Sequence, residues 1–501
     1  MTPARGDGGG EESVPTAAGV GDMPPEEFHR QGLEVLEWAR SYLEGVGALP
    51  VSPSVQPGEL RALLPARPPQ EGEGMDRIFR DFERLVLPGV THWNHPSFHG
   101  YFAITGSGPG ILGELISAAL NVNAMLWKAS PAATELEELV TDWVRDLLGL
   151  PPGFTGVIHD TASTSSLVAL AAARQRIYPE VREGGLFGLP RGRIYVSEEG
   201  HSSIEKAAVA LGLGREGVRK IPVDRQFRMR VPDLEAAIRE DRARGVRPVA
   251  VVATIGTTST TSVDPVREVA DLLRGTGVWL HVDAAYAGPA AALEERCELF
   301  GGWEEAESIV VNPHKWLFTQ VDCSVLLCRD PGSIRAAFSL VPEYLRTDEA
   351  QAATNFMDYG VALGHRFRAL KLWFVLRYFG VEGIRRRLRY HIHLAQTLAR
   401  RIEEDERWEL MAPVTFSTVV FRFAPSTMSE QERDTENLRV MEAVNASGRA
   451  FISHTRVGGR LALRAAVGNL RTRENHIESL WELLAQMCEQ GPAESGVTLP
   501  A

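Results

Sequence analysis

Short hydrophobic runs alternate with helical patterns through the middle of this 501-residue chain. The apolar segments 248–254, 278–283 and 309–311 are continuous, which predicts buried strands. The spacing of apolar residues in 231–240 and 265–273 predicts helices before and between the first two strands. Strands and helices that alternate in this way indicate an α/β fold, with a mainly parallel sheet covered by helices.

The same patterns divide the chain into five parts. Residues 1–24 are rich in glycine, proline and acidic residues and lack an apolar run, which predicts a disordered tail. The amphipathic helix 26–44 and a proline-rich extended crossing at 50–69 form a helical N-terminal arm, 25–107. We expect a large domain at 108–380, a small α+β domain at 381–490 with strands near 419–423 and 461–467, and a tail at 491–501.

Composition and charge exclude several classes of partner. The chain is 44% hydrophobic and 24% charged, as folded globular proteins are. Its net charge is −12 and it has no long basic run, so we expect no nucleic-acid partner. The cysteines lack metal-binding spacing, which predicts no metal site. No apolar run is long enough to span a membrane, so we expect a cytoplasmic protein with no membrane partner.

The residues most indicative of chemistry are Lys315 and Asp283. Lys315 follows the apolar run 309–311, and desolvation there would lower its pKa and let it form a Schiff base. Asp283 ends another predicted strand, and such ends open onto the crevice where α/β folds bind ligands. Taken alone, a lysine in this position is more often an ordinary surface residue, and the aspartate is more often a helix cap or part of a structural ion pair. Together they indicate pyridoxal phosphate, with Lys315 on its aldehyde and Asp283 keeping its ring nitrogen protonated.

Three further segments suit this cofactor. Hydroxyl residues precede a helix that is predicted to begin at Leu167. Free N–H groups at the N-terminus of a helix bind phosphate. An ordinary serine or threonine N-cap would give the same sequence pattern. His201 follows a predicted strand, 193–197, where a flat imidazole can stack on a ring. Thr258 lies in a turn of glycine and hydroxyl residues that follows the predicted strand 248–254. The expected phosphate-binding residues are Thr161, Ala162 and Ser163.

These motifs resemble those of the group II pyridoxal-phosphate decarboxylases, and most closely those of the aromatic L-amino-acid decarboxylases. The resemblance runs from about Glu26 to Trp481 and rests on Thr91-His-Trp93, Ala253-Thr-Ile-Gly-Thr-Thr258, His281-Val-Asp-Ala-Ala-Tyr-Ala-Gly288 and Asn312-Pro-His-Lys-Trp316. It implies an aminotransferase-like (type I) fold and a homodimer with shared active sites. It also implies that Ala285, Asn312 and His314 help to hold the cofactor.

The resemblance implies a proton donor as well. In this family a tyrosine in a lid protonates the substrate's α-carbon after CO2 has left, and Tyr344 matches it. An anchor for a surface loop is the alternative role for that residue. Relatives that make aldehydes by oxidative decarboxylation differ at Tyr344 or at His201. This chain has both residues, so we expect it to form an amine and CO2.

The substrate is expected to be an aromatic amino acid. The stretch with Tyr101, Phe102 and Ile104 matches the segment that lines the family's amino-acid pocket, and its aromatic side chains suit a ring-bearing substrate. His201 would also face the substrate. Asn123 and Met125 match a segment that the partner subunit lends to the pocket.

The chain departs from the family pattern at three positions. Ile104 stands where mammalian members have a hydroxyl residue, His365 where they have arginine, and Asp160 where glycine is common. The pocket therefore differs in size or polarity, and tryptophan, tyrosine, phenylalanine, DOPA and 5-hydroxytryptophan all remain candidates. An aminotransferase on the same fold and a cofactor-binding scaffold without turnover remain alternatives to a decarboxylase.

Overall fold

The computed structural model describes residues 21–102, 104–340 and 353–490. Its helices are α1 (Pro25–Gly45), α2 (Glu59–Leu63), α3 (Met75–Asp81), α4 (Gly108–Leu120), α5 (Pro131–Leu147), α6 (Ala162–Ile177), α7 (Val181–Gly184), α8 (Ser203–Ala210), α9 (Val231–Ala243), α10 (Val266–Leu273), α11 (Pro313–Trp316), α12 (Pro331–Phe338), α13 (Arg368–Glu403), α14 (Glu430–Ala446) and α15 (Glu474–Glu489). Its strands are β1 (Thr155–His159), β2 (Gly192–Ser197), β3 (Val218–Ile221), β4 (Arg247–Thr254), β5 (Trp279–Asp283), β6 (Ser308–Val311), β7 (Ser324–Cys328), β8 (Trp408–Leu410), β9 (Thr418–Phe423), β10 (Ser453–Val457) and β11 (Arg460–Ala466).

A seven-stranded sheet in the order β1-β7-β6-β5-β4-β2-β3 forms the centre of the larger unit. The pairs from β6 to β3 are parallel, whereas β7 is antiparallel to both β1 and β6. The predicted α/β fold with a mainly parallel sheet is therefore confirmed. Thr254 pairs with Asp283, and Asp283 pairs with Val310, so β4, β5 and β6 end at one edge of the sheet.

A second sheet follows in the C-terminal part of the chain. Its four strands are antiparallel, in the order β10-β11-β9-β8. The predicted strands near 419–423 and 461–467 are β9 and β11. The pattern did not predict β8, which has three residues, or β10, whose exposed and half-buried residues alternate up to buried Val457. Between the two sheets, α13 is interrupted at Gly380, where φ is 60°.

Among the described residues, 21–48 and 54–90 form a separate compact unit, which holds α1, α2 and α3. Within it, the Trp38 ring stacks on Tyr42 at 5.3 Å between centroids and packs edge-on against Phe79 and Phe82. The prediction of an extended crossing over 50–69 is wrong at α2, where the chain forms a short helix after Gly58. No helix in the described residues is long and apolar enough to cross a membrane.

Candidate active site

Lys315 lies on the short helix α11, directly after β6. Its backbone N–H donates to the carbonyl of Asn312 (2.9 Å), and its Nζ is 5.0 Å from the centroid of the Phe102 ring. Desolvation lowers the pKa of Lys315, the nearby Arg464 guanidinium lowers it further, and the Asp283 carboxylate opposes both. A lysine with a lowered pKa supplies the neutral amine that attacks an aldehyde.

Asp283 is the last residue of β5 and is 7% exposed. Its Oδ1 accepts a hydrogen bond from the Ala285 N–H at 3.1 Å. Thr254 is the last residue of the neighbouring strand β4, and Asn312 directly follows the neighbouring strand β6. Thr254 Oγ1 and Asn312 Oδ1 are buried, and neither has a hydrogen-bond partner among the described residues. Unpaired buried polar atoms at this edge fit a site that binds a polar ligand.

His201 follows β2 and lies just before α8. Its Nδ1 accepts the Ser203 N–H at 3.2 Å and is 2.8 Å from the Ser203 Oγ. Since Nδ1 is an acceptor, the ring hydrogen lies on Nε2. Partial desolvation lowers the pKa of His201, Lys315 adds to this effect, and Asp283 opposes it. A neutral, flat imidazole is suited to stacking on a cofactor ring.

The predicted phosphate site lies at the N-terminus of α6. This helix begins at Ala162, five residues before the predicted start, with Thr161 extended at its N-cap and no side-chain cap. Its first N–H groups are therefore available to an anion. Thr161 and Ser163 are exposed, as is Thr258 in the turn after β4. The Asp160 carboxylate accepts the Thr161 N–H at 2.6 Å and places a negative charge beside this terminus.

His314 is buried on α11, next to Lys315. The ring Nδ1 of His314 accepts the backbone N–H of Cys323 at 2.9 Å, and the backbone N–H of His314 donates to the Cys323 carbonyl at 3.3 Å. Burial lowers the pKa of His314 to about 4, so the ring is neutral near pH 7. These bonds fix the helix that carries Lys315.

Three stacked aromatic rings form a wall beside the lysine. Phe102 stacks on Tyr286 with 3.9 Å between centroids, and Tyr286 stacks on Trp316 with 4.9 Å between centroids. Tyr101, although next in sequence, points elsewhere. Its backbone has φ 52°, and its ring stacks on Trp93 at 5.7 Å. Phe102 is therefore the predicted pocket residue that the structure brings to Lys315.

Arg464 on β11 was not predicted, and it faces the same ring as Lys315. Its Cζ is 4.4 Å from the centroid of Phe102, and its Nη1 donates to the Tyr101 carbonyl. The residue is 3% exposed, and its Nε and Nη2 have no partner among the described residues. Desolvation lowers the pKa of Arg464 to about 10, which leaves it charged at neutral pH. The sequence feature that could have indicated this residue is an arginine inside the otherwise apolar run 461–466.

The other predicted pocket residues are placed differently. Ile104 and Met125 are half-buried and Asn123 is exposed. Asn123 accepts a hydrogen bond from the backbone of His365, and Met125 accepts one from the backbone of Met357. Tyr344 lies outside the described residues.

Pyridoxal phosphate needs an amine for its aldehyde, a carboxylate for its ring nitrogen and an anion site for its phosphate. The fold and the residues at this sheet edge supply these groups and define an enzyme that uses pyridoxal phosphate. Residues 57–424 match the pyridoxal-dependent decarboxylase conserved domain, and the chain belongs to that family of decarboxylases.

Named relatives agree with this assignment. The chain is 38% identical to tryptophan decarboxylase 2 of Oryza sativa subsp. japonica over 97% of this chain and 98% of the relative. It is also 38% identical to a phenylacetaldehyde synthase of a Rosa hybrid cultivar, over 92% of this chain and 94% of that relative. The crystal structure of Oryza sativa TDC with PLP and tryptamine superposes with a TM-score of 0.91 at 35% identity, covering 94% of this chain and 99% of that one.

Proposed function

We propose that this chain decarboxylates an aromatic L-amino acid to its amine and CO2. The observation that carries the proposal is the desolvated Lys315 amine at the Phe102 ring, beside the strand that ends in Asp283. The stacked rings of Phe102 and Tyr286 suit a planar apolar side chain. The relatives named tryptophan and tyrosine decarboxylase support the same substrate class.

The cofactor, when bound, supplies an electron sink for the substrate's α-carbon. Lys315 would hold its aldehyde, and Asp283, fixed by the Ala285 N–H, would hold the proton on its ring nitrogen. His201 would lie against its ring. Asn312 and His314 would keep α11, and hence the amine, in position. Its phosphate would bind Thr161, Ala162, Ser163 and Thr258.

Arg464 is proposed to bind the substrate's carboxylate. A buried guanidinium with unpaired N–H groups beside the reactive amine offers a charge-assisted bond to an anion. The bond would also orient the carboxylate before it leaves. The alternative role is structural, in which Arg464 only holds Tyr101 and Phe102 together.

Arg464→Met separates these two roles. Loss of a hydrogen bond to a charged group should raise KM for the amino acid roughly 10- to 100-fold. The inhibition constant of the matching amine, which has no carboxylate, should stay within about threefold by the same reasoning. The control is Arg456→Met, which replaces an exposed arginine on β10. Equal weakening of the amino acid and the amine would show that Arg464 has only a structural role.

Tyr344 is proposed to give the α-carbon its proton, although it lies outside the described residues. Tyr344→Phe should reduce amine formation by roughly 10²-fold or more, because the general acid is lost. The unprotonated carbon should then react with dissolved oxygen, so aldehyde, ammonia and peroxide should replace amine. Amine and aldehyde are measured in one reaction. Slower turnover at an unchanged product ratio would remove Tyr344 from the catalytic residues.

Aldehyde formation by the unmodified chain is the second candidate function. The observation in its favour is that relatives about as similar as the decarboxylases are named phenylacetaldehyde synthase. The presence of both Tyr344 and His201 favours the amine, because the resembling aldehyde-forming enzymes differ at one of these positions.

The chain is also proposed to act as a homodimer in the cytoplasm. Leu112, Leu115 and Leu120 on α4 are about half exposed, at 50%, 47% and 54%. A cavity of about 570 Å³, lined partly by Leu112 and Trp373, continues this apolar face. Contiguous exposed apolar surface of this kind is typical of protein interfaces. All four cysteines are free thiols, which fits a reducing compartment.

Leu115→Glu with Leu120→Glu should split the dimer and remove most activity together, since charges in an apolar interface are costly. Light scattering after gel filtration gives the mass, and CO2 release gives the activity. Val209→Glu, at an exposed position on α8, is the matched control and should change neither. A wild-type monomer with full activity would contradict the dimer.

The proposed activity is tested by measuring CO2 release from each of the twenty amino acids without a keto acid. We expect release only from aromatic amino acids, over many turnovers. An aminotransferase would need a keto acid to turn over, and a scaffold would bind the cofactor and release no CO2.

A further inference from the structure

Two distant segments are joined at His365. The backbone N–H of His365 donates to Asn123 Oδ1 at 2.9 Å, and its carbonyl accepts the Ala124 N–H at 2.8 Å. Both polar groups of the His365 backbone are therefore used to hold residues 123–124. The position of this pair depends directly on where His365 lies.

The same two segments are joined again a few residues away. The Met357 N–H donates to the Met125 carbonyl at 2.9 Å, and the Trp127 N–H donates to Asn355 Oδ1 at 3.1 Å. Leu126 and Met357 are buried together, with Met125 packed against them. Residues 123–127 are thus held along their whole length by the segment 355–365.

The side chain of His365 is fixed by a buried carboxylate. Its Nε2 is 2.8 Å from Glu137 Oε2, while Glu137 Oε1 accepts the Ile158 N–H at 2.8 Å. Glu137 is 1% exposed and His365 is 9% exposed. A carboxylate oxygen accepts and an imidazole N–H donates, so His365 Nε2 is the donor in this bond. The Phe356 ring stacks on the imidazole at 4.8 Å between centroids. Glu137, on α5 and bonded to β1, thereby ties His365 to the main sheet.

We infer that His365 is a positioning residue that, through its bond to Glu137, sets the place of Asn123 and Met125 in the substrate pocket of the partner subunit. This inference rests on the proposed function as a homodimer, together with the family resemblance, which implies that Asn123 and Met125 serve the other subunit's site. His365 touches neither the cofactor nor the reacting atoms in this account. Its loss should therefore change substrate binding more than the chemical step.

The first test compares two substitutions in the purified holoenzyme. His365→Leu leaves Glu137 Oε2 without its donor and should raise KM for the preferred aromatic amino acid about tenfold, with kcat within about threefold. His365→Gln offers an amide N–H to the same carboxylate and should restore most of the wild-type KM. His393→Ala, an exposed histidine on α13, is the control and should change neither constant. A fall in kcat with KM unchanged, or no rescue by Gln, would overturn the inference.

A mixed dimer shows which subunit's pocket His365 serves. Chains with Lys315→Ala and chains with His365→Leu are co-expressed with different tags, and the mixed dimer is purified. Its one working site combines Lys315 of the His365→Leu chain with residues 123–125 of the chain that retains His365. That site should have the wild-type KM at half the wild-type maximal rate. A KM as high as in the His365→Leu homodimer would overturn the inference, because His365 would then act on its own subunit.

Two measurements keep the inference separate from the proposed function. Wild-type CO2 release and dimer mass are measured first, and absence of either would refute the proposed function and the inference with it. If both are present, a raised KM in the mixed dimer refutes only the role of His365. If His365→Leu alone does not fold, the double variant with Glu137→Gln leaves no carboxylate buried without a donor and replaces it in both tests.

Discussion

Lys315→Ala should abolish turnover and the visible absorption band that arises from the link between Lys315 and the cofactor, while the protein stays folded. The amine at the Phe102 ring is the group that would hold the aldehyde, and its removal leaves no covalent link. The cofactor should still bind without that link, because the α6 N-terminus does not depend on Lys315. Absorption spectra with added pyridoxal phosphate and CO2 release measure both effects.

The control for this variant is Lys220→Ala. Lys220 lies on β3 in an ion pair with Glu205 (3.0 Å), and its loss should leave spectrum and rate unchanged. Normal activity in Lys315→Ala would refute the assignment of the catalytic amine.

Asp283→Asn should keep the cofactor bound but reduce kcat by about a hundredfold or more, because losing a buried charge partner costs a few kcal/mol. Asparagine keeps the shape of the side chain and an acceptor for the Ala285 N–H, so the local structure should persist. What it removes is the negative charge that holds a proton on the ring nitrogen.

Steady-state kinetics with a parallel measurement of bound pyridoxal phosphate test this result. Asp271→Asn, an exposed aspartate on α10, is the matched control. A kcat within threefold of wild type would show that Asp283 is structural only.

Strands β4, β5 and β6 could be predicted because they are continuous apolar runs that are short enough to exclude helices. Strand β4, for example, is buried along seven of its eight residues, so every side chain in the run carries the same signal. The start of α6 was misplaced because Ser165 and Ser166 look polar, although both side chains are fully buried. Hydroxyls that bond to Ser324 and His281 inside the core give no such indication in one sequence.

The candidate site was predictable where its residues are defined locally, as at Lys315 and Asp283, each at the end of an apolar strand. Arg464 could not be assigned, because its contact with Phe102 joins residues far apart in the chain. The bond between His365 and Glu137 likewise depends on the packing of α5 against a distant segment. Periodicity reports the face of an element but not which distant element covers it.

The most direct test of the central claim is the ratio of amine to CO2 in one reaction. The holoenzyme is incubated in air, without a keto acid, with tryptophan, tyrosine, phenylalanine, DOPA or 5-hydroxytryptophan, and CO2, amine, aldehyde and peroxide are measured. We expect at least one of these amino acids to give equal amounts of amine and CO2 over many turnovers. Equal amounts of aldehyde and CO2 with peroxide, or no CO2 from any of the five, would contradict the proposed decarboxylase.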